Sequence, residues 1–198
     1  MKHKWITAKL LKKLEACEEG YVLFEEEHGN SLVDIITLTE NEIKRGDEER
    51  LTYMNWLIVR CMHKEQYLQY AVFAAKKVLH LFENEHPDNK VPRKAIEAAE
   101  KCLKNPRGKD AAHYVAKAMA KAAYLVADSA YTQYAVNDVA YAAYAAYAAA
   151  NAAANKDYSA YSAYAAHYAA KADYDVAKKK LKIEILKYGI ELLKGSKS

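Results

Sequence analysis

Glycine, proline and phenylalanine are scarce in this 198-residue chain, at six, three and three residues. So few turn formers exclude an all-β sandwich or barrel, which needs a turn every ~8–12 residues. Cysteine is scarce too: Cys17, Cys61 and Cys102 are an odd number with no Cys-x-x-Cys pair, so neither a disulfide framework nor a zinc site is signalled. Long apolar runs are missing. The longest uncharged stretch, Val139–Asn155, sets three tyrosines and two asparagines among alanines, and alanine favours a bilayer only weakly. Met1-Lys2-His3-Lys4 leads into an amphipathic stretch with no apolar signal core. These features make no membrane span expected, and a cytoplasmic protein is.

Neither sign of charge dominates. The net charge is +4, with 15 basic and 17 acidic side chains over residues 1–99 (−2) and 15 and 9 over residues 100–198 (+6). The excess in the second half suits an anionic partner but is too small for a nucleic-acid footprint, and its sign excludes a DNA mimic.

Helical patterning is abundant, and the expected class is all-α: an N-terminal layer of short helices packed on long, antiparallel, Ala/Tyr-rich C-terminal helices. One domain spans residues 1–198, with the layer at 1–108 and the long helices at 109–194. A first helix is read over 5–19, closed by Gly20. Residues 21–38 stay open between short helices and brief extended pieces around Gly29-Asn30. Thr39 with Glu42 has capping-box spacing, and Asp47 caps the next helix after Gly46. There Tyr53, Trp56, Leu57, Arg60 and Cys61 share one face. A helix near 65–85 buries Tyr70, Ala74, Val78 and Leu81. After the His86–Val91 loop, Pro92 takes the first helical position, Ala95, Ile96, Ala99, Cys102 and Leu103 form the apolar face, and Asn105–Gly108 ends the helix. Between residues 111 and 177, 29 of 67 residues are alanine and 12 are tyrosine. Lys156-Asp157 marks a turn with Asp157 as cap, and the last helix runs from there to Leu193.

Tyr141, Tyr144 and Tyr147 recur every three residues, as do Tyr158, Tyr161 and Tyr164, so each column drifts about 60° per step and spans one packing face. In one reading the columns interdigitate as core filler, each ring above an opposing alanine. In the other, Tyr141, Tyr144, Tyr147, Tyr161, Tyr164 and Tyr168 line a groove that stacks on a partner. Asn137, Asn151, Asn155, Ser159 and Ser162 are candidate partners for the phenol hydroxyls.

Catalytic patterns are sparse. Glu25…His28 and Glu83…His86 have Glu-x-x-His spacing but sit at helix ends in acidic runs, which argues against a di-metal site. Cys61 and His63 are two apart and point away from each other on a helix. No phosphate loop or nucleophile elbow is present, so no enzyme and no cofactor is expected. Arg60, on an apolar face, calls for a carboxylate. Arg93, at a helix start where the dipole disfavours a cation, is read with Asp88, Glu83 or Glu97 as an ion-pair network fastening the loop, or else as an anion site. The run Lys178-Lys179-Lys180-Leu181-Lys182 is a solvated face.

Met54-Asn55-Trp56-Leu57-Ile58-Val59-Arg60, the helix around Ala71–Phe82 and the segment Pro87–Ala99, with its Asp-x-x-x-Pro-Arg-x-Ala-Ile core, together with the Ala/Tyr-rich helices, resemble the immunity-protein-five-like family of bacterial immunity proteins. The resemblance covers about residues 21–193. The family pattern carries a second arginine before the Pro-Arg pair, where this chain has Val91. The resemblance implies a non-catalytic inhibitor that neutralises a toxin or effector protein by binding it. Two other readings stand beside it. One is a phage or prophage counter-defence protein holding a nucleotide or other small anionic ligand in a Tyr/Arg-lined cleft, and the other is a homo-oligomer built on Ala/Tyr seams.

Overall fold

The computed structural model describes residues 2–104, 116–125, 127, 137–154, 159–172 and 175–195. The fold is an all-α bundle with one small ladder, β1 (Trp5–Ile6) antiparallel to β2 (Val33–Asp34), pairing Trp5 with Asp34 and Ile6 with Val33.

No single helix runs over residues 5–19. Trp5 and Ile6 are drawn into the ladder, extended Thr7 caps α1 (Ala8–Lys13) by accepting the Leu10 amide at 3.1 Å, and Glu15 ends that turn in a left-handed conformation (φ 60°). The chain starts again as α2 (Glu18–His28). Gly20 therefore lies inside a helix, where a Cβ would stand 3.3 Å from Cys17 Sγ and 3.6 Å from the Tyr53 ring. Asp34 caps α3 (Ile35–Arg45) by accepting the Thr37 amide at 2.9 Å. Thr39 and Glu42 are buried inside α3 and form no capping box; the Thr39 hydroxyl donates to the Ile35 carbonyl instead. Gly46 (φ 69°) then turns the chain, and Asp47 caps α4 (Glu48–Arg60) as its sequence position indicates.

The buried face of α4 is turned from the expected one. It carries Leu51, Met54, Leu57, Ile58 and Val59, continuing into Cys61, while Tyr53, Trp56 and Arg60 stay partly exposed. The next helix, α5 (Lys64–Glu85), is apolar nearly all round: Tyr67, Leu68, Tyr70, Ala71, Val72, Ala74, Ala75, Val78, Leu79 and Phe82 are all buried. Such a helix belongs at the centre of a bundle, and α6 (Val91–Lys104), α8 (Asn137–Ala154), α9 (Ser159–Lys171) and α10 (Asp175–Lys194) pack on it, while α4 packs against α9, α10 and α3. Leu81, expected in the core, is only partly buried; Phe82 fills that role. In α6 the first helical residue is Val91, one before Pro92, and Leu103 is half-exposed, whereas Ala95, Ile96, Ala99 and Cys102 are buried as their spacing requires.

Residues 116–125 form α7, which buries Ala116, Ala120 and Ala123. The last two helices are separate: α9 ends at Lys171, the Ala172 amide still reaches the Tyr168 carbonyl at 3.0 Å, and α10 begins at Asp175. The expected stop at residues 105–108, the turn at 156–157 with its Asp157 cap, and Tyr158 and Asn155 lie outside the described residues.

Alanine is the core material of this half. Ala142, Ala145, Ala146, Ala148, Ala149, Ala150, Ala152 and Ala153 of α8 and Ala165, Ala166, Ala169 and Ala170 of α9 are all but inaccessible to solvent. Short side chains let helix axes approach at the lower end of the usual ~8–10 Å spacing. Each buried methyl contributes roughly 0.8 kcal/mol, so the seam is held by many small increments. Glycine extends the same logic in α10, where Gly189 lies against the Tyr70 ring.

Candidate binding surface

Because alanines face inward on α8 and α9, tyrosines at three- and four-residue spacing are left on the outer side. Tyr141, Tyr144, Tyr147, Tyr161 and Tyr168 are partly buried, and Tyr164 is 51% exposed. The two columns do meet, but ring against ring. Tyr147 lies edge-on to Tyr161 with centroids 6.1 Å apart, Tyr161 contacts Tyr164 at 6.1 Å, Tyr164 contacts Tyr168 at 6.2 Å, and Tyr168 stacks on Tyr144 at 5.3 Å and Tyr141 at 6.2 Å. Tyr124 of α7, 42% exposed, closes the set against Tyr144 and Tyr147 at 5.8 and 5.3 Å. Spacings of 4.5–7 Å in offset or edge-on geometry are the favourable ones for aromatic pairs. Five of these rings, Tyr141, Tyr144, Tyr147, Tyr161 and Tyr168, pack partly buried on the alanine core, and they also contact one another, while Tyr124 and Tyr164 are exposed.

Two of the phenols hold their protons more tightly than a free tyrosine does. Burial, then the Tyr161 hydroxyl, push Tyr147 up to about 12, and burial followed by the neighbouring Tyr164 raises Tyr168. The surface therefore offers phenol hydroxyls as donors and acceptors. Cations rim it. Lys171 lies 5.4 Å from the Tyr141 centroid, and Lys117 and Lys121 border an open depression of about 520 Å³ with Tyr124, Tyr147 and Asn151. Ser162 is fully buried, and among the described residues its hydroxyl has no hydrogen-bond partner.

Arg60 sits at the end of α4 beside this surface. Its guanidinium stacks on Trp56 at 4.1 Å, and Tyr164 and Glu15 lie close enough to act on its charge. Among the described residues no carboxylate pairs with it, where the sequence called for one, and Nη1 is sealed from water without a hydrogen-bond partner; burial lowers its proton affinity. Arg93 differs. Its Nε donates to Glu83 Oε1 at 2.6 Å and its Nη2 to Glu83 Oε2, a bidentate pair that lowers the Glu83 pKa. Asp88 is exposed in the loop before α6. Arg60 precedes α5 and Arg93 is tied to its far end; 22 residues at 1.5 Å rise make that helix about 33 Å long. The structure therefore joins Arg60 to the tyrosines and leaves Asp88 and Arg93 at a separate end, as a loop fastening.

Other chemistry is limited. Burial raises the Cys61 thiol to about 12, far from a reactive thiolate. Glu83 is already engaged by Arg93, and among the described residues no three His, Cys, Asp or Glu side chains converge on a metal-sized site. No helix among those residues is long and apolar enough to cross a membrane. The sequence reading missed Tyr124, Lys117, Lys121 and Lys171, because only the docking of α7 and the end of α9 beside α8 brings them to the rings.

The family described as Imm-5 like putative immunity protein matches residues 58–188. The chain belongs to that family. The matched span of this Imm-5-like protein is narrower than the 21–193 of the sequence resemblance. It holds Arg60, the central helix and all seven clustered tyrosines, and leaves out the ladder and α1 to α3. No curated protein and no solved structure matches the chain.

Proposed function

We propose that this Imm-5-like protein is a non-catalytic inhibitor that neutralises a toxin or effector protein by binding it on the tyrosine surface. The observation that carries the reading is a cluster of seven tyrosines in ring-to-ring contact, with Tyr124 and Tyr164 exposed and cations at its rim. Tyrosine, tryptophan and arginine are the side chains that concentrate binding energy at protein interfaces. Ring-to-ring packing holds them in place before a partner arrives, which lowers the ordering cost of binding. The family assignment gives the direction, since an immunity protein acts by engaging a toxin.

The test is purification of the tagged protein from its native host, followed by native mass spectrometry. A stoichiometric second polypeptide, lost when Tyr124→Ala and Tyr164→Ala are combined, supports the reading. A partner retained by that double variant at unchanged affinity overturns the assignment of the surface.

One observation favours a second reading. The depression between Lys117, Lys121, Tyr124, Tyr147 and Asn151 suits an aromatic anion such as a nucleotide, with rings to stack on and ammonium groups for phosphate. A nucleobase absorbance travelling with the pure protein would favour this over protein binding. Arg93 takes no part in it, being held by Glu83. The oligomer reading loses its main feature, because the alanine seam is used up inside one chain.

A further inference from the structure

Five arginines occur in the sequence, and four of them, all but Arg107, lie among the described residues. Arg45 and Arg50 each pair with both Glu27 and Glu42, and Arg93 holds Glu83. Among the described residues Arg60 pairs with no carboxylate. It nevertheless lies half-buried, stacked on Trp56, with Nη1 cut off from water and unbonded. An ion stripped of part of its water with no counter-charge weakens a fold, so packing alone gives no reason for an arginine here.

We propose that Arg60 is the anchor of the docking surface and receives a carboxylate side chain of the partner protein, with Trp56 as its floor and Tyr164 as its wall. This rests on the protein-binding reading above and names the chemistry the partner brings. A guanidinium lying flat on an indole keeps its planar fork in a fixed orientation, the arrangement that accepts a carboxylate bidentately. The local charge favours one carboxylate over a phosphate dianion. Glu15, the acid that acts most on Arg60, is exposed and outside ion-pair distance, so a phosphate would meet one cation beside one anion, whereas a single carboxylate balances the guanidinium. Arginine, tryptophan and tyrosine, here Arg60 on Trp56 with Tyr164 near enough to act on its charge, are also the three residue types most enriched at binding hot spots.

The test is an NMR titration of the isotope-labelled protein with acetate, and separately with inorganic phosphate, at constant ionic strength, observing the Arg60 Nε–H and Trp56 indole N–H signals. Acetate is expected to shift both signals saturably. The shift should vanish from the indole signal in Arg60→Met, persist in Arg93→Met, and come at lower acetate concentration in Glu15→Gln, which removes the competing acid. Tighter binding of phosphate than acetate, or an unchanged indole shift in Arg60→Met, overturns the proposal. So does a fall in Tm of more than about 4 °C in Arg60→Met, because that would make Arg60 a structural residue; an equal or higher Tm is expected. With the partner captured from the host, Arg60→Met should weaken binding about thirtyfold or more. A partner held at wild-type affinity by Arg60→Met overturns the anchor and leaves protein binding standing. Capture of no polypeptide by the wild type overturns protein binding, and the acetate titration still decides whether Arg60 receives a carboxylate.

Discussion

Gly189 of α10 lies so close to Tyr70 of α5 that a Cβ at position 189 would stand 2.8 Å from ring atom Cε2, with Ile58 Cδ1 at 3.0 Å and Met62 Cε at 3.3 Å. The methionine can yield, but the tyrosine cannot. Its ring is fully buried, and its hydroxyl donates to Asn55 Oδ1 at 2.9 Å while Asn55 Nδ2 donates to the Ala163 carbonyl at 3.0 Å. One hydrogen-bonded relay thus ties α5, α4 and α9 together, and α10 closes over it only because residue 189 has no side chain.

Gly189→Ala sets two effects against each other. Alanine gains about 1 kcal/mol in helix propensity, and overpacking a fixed ring costs about 1–3 kcal/mol. The clash with Tyr70 should win, so urea unfolding is expected to show net destabilisation. Tyr70→Phe should cost about 1–3 kcal/mol in the same assay by leaving the Asn55 oxygen buried without its donor.

Core and skin on α8 and α9 should respond oppositely to substitution. Ala149→Leu forces a larger side chain into the seam and is expected to destabilise by about 1–3 kcal/mol. Tyr164→Ala, at a half-exposed ring, should cost about 1 kcal/mol or less. Thermal unfolding of the two variants checks the order; a reversal would return the tyrosines to the core.

Acid should weaken the fold at identifiable pairs. The Arg50 guanidinium lowers the Glu27 pKa and Arg93 lowers that of Glu83, both from an ordinary value of 4.5. A depressed folded-state value means that the stabilisation is present above pH 4.5 and is lost as pH falls through the lower folded value. These pairs are partly solvated, so each contributes little. Arg93→Met should therefore flatten the acid limb of a Tm-against-pH curve slightly and leave the neutral Tm nearly unchanged.

Alkali acts through the phenols. Tyr147, raised to about 12 by burial, and Tyr53, raised to about 12 by its hydrogen bond to Glu49, keep their protons more tightly folded than unfolded. Their contribution is present below pH 10 and is lost as pH rises through 12. A phenolate absorbance titration should show Tyr147→Phe removing a late-titrating group. A midpoint near 10 for that group would contradict the packing described.

The sequence by itself determined the helical class, the capping of α4 by Asp47, the apolar stripe of α6 and the spacing of the tyrosine columns. These depend on propensity and on neighbours within one turn, which local sequence encodes. Tertiary structure alone decided which way the columns face. Both alanine and tyrosine at helical spacing satisfy a helix, and only the close approach of α8 and α9 to α5 selects the smaller residue for the inside. It also shortened the first expected helix, where pairing of Trp5–Ile6 with a distant strand outweighed local helix preference. The unpaired state of Arg60 belongs to the same class. The sequence placed it on a helix face in need of an acid, and only the assembled bundle, in which the other described arginines claim Glu27, Glu42 and Glu83, left it without one.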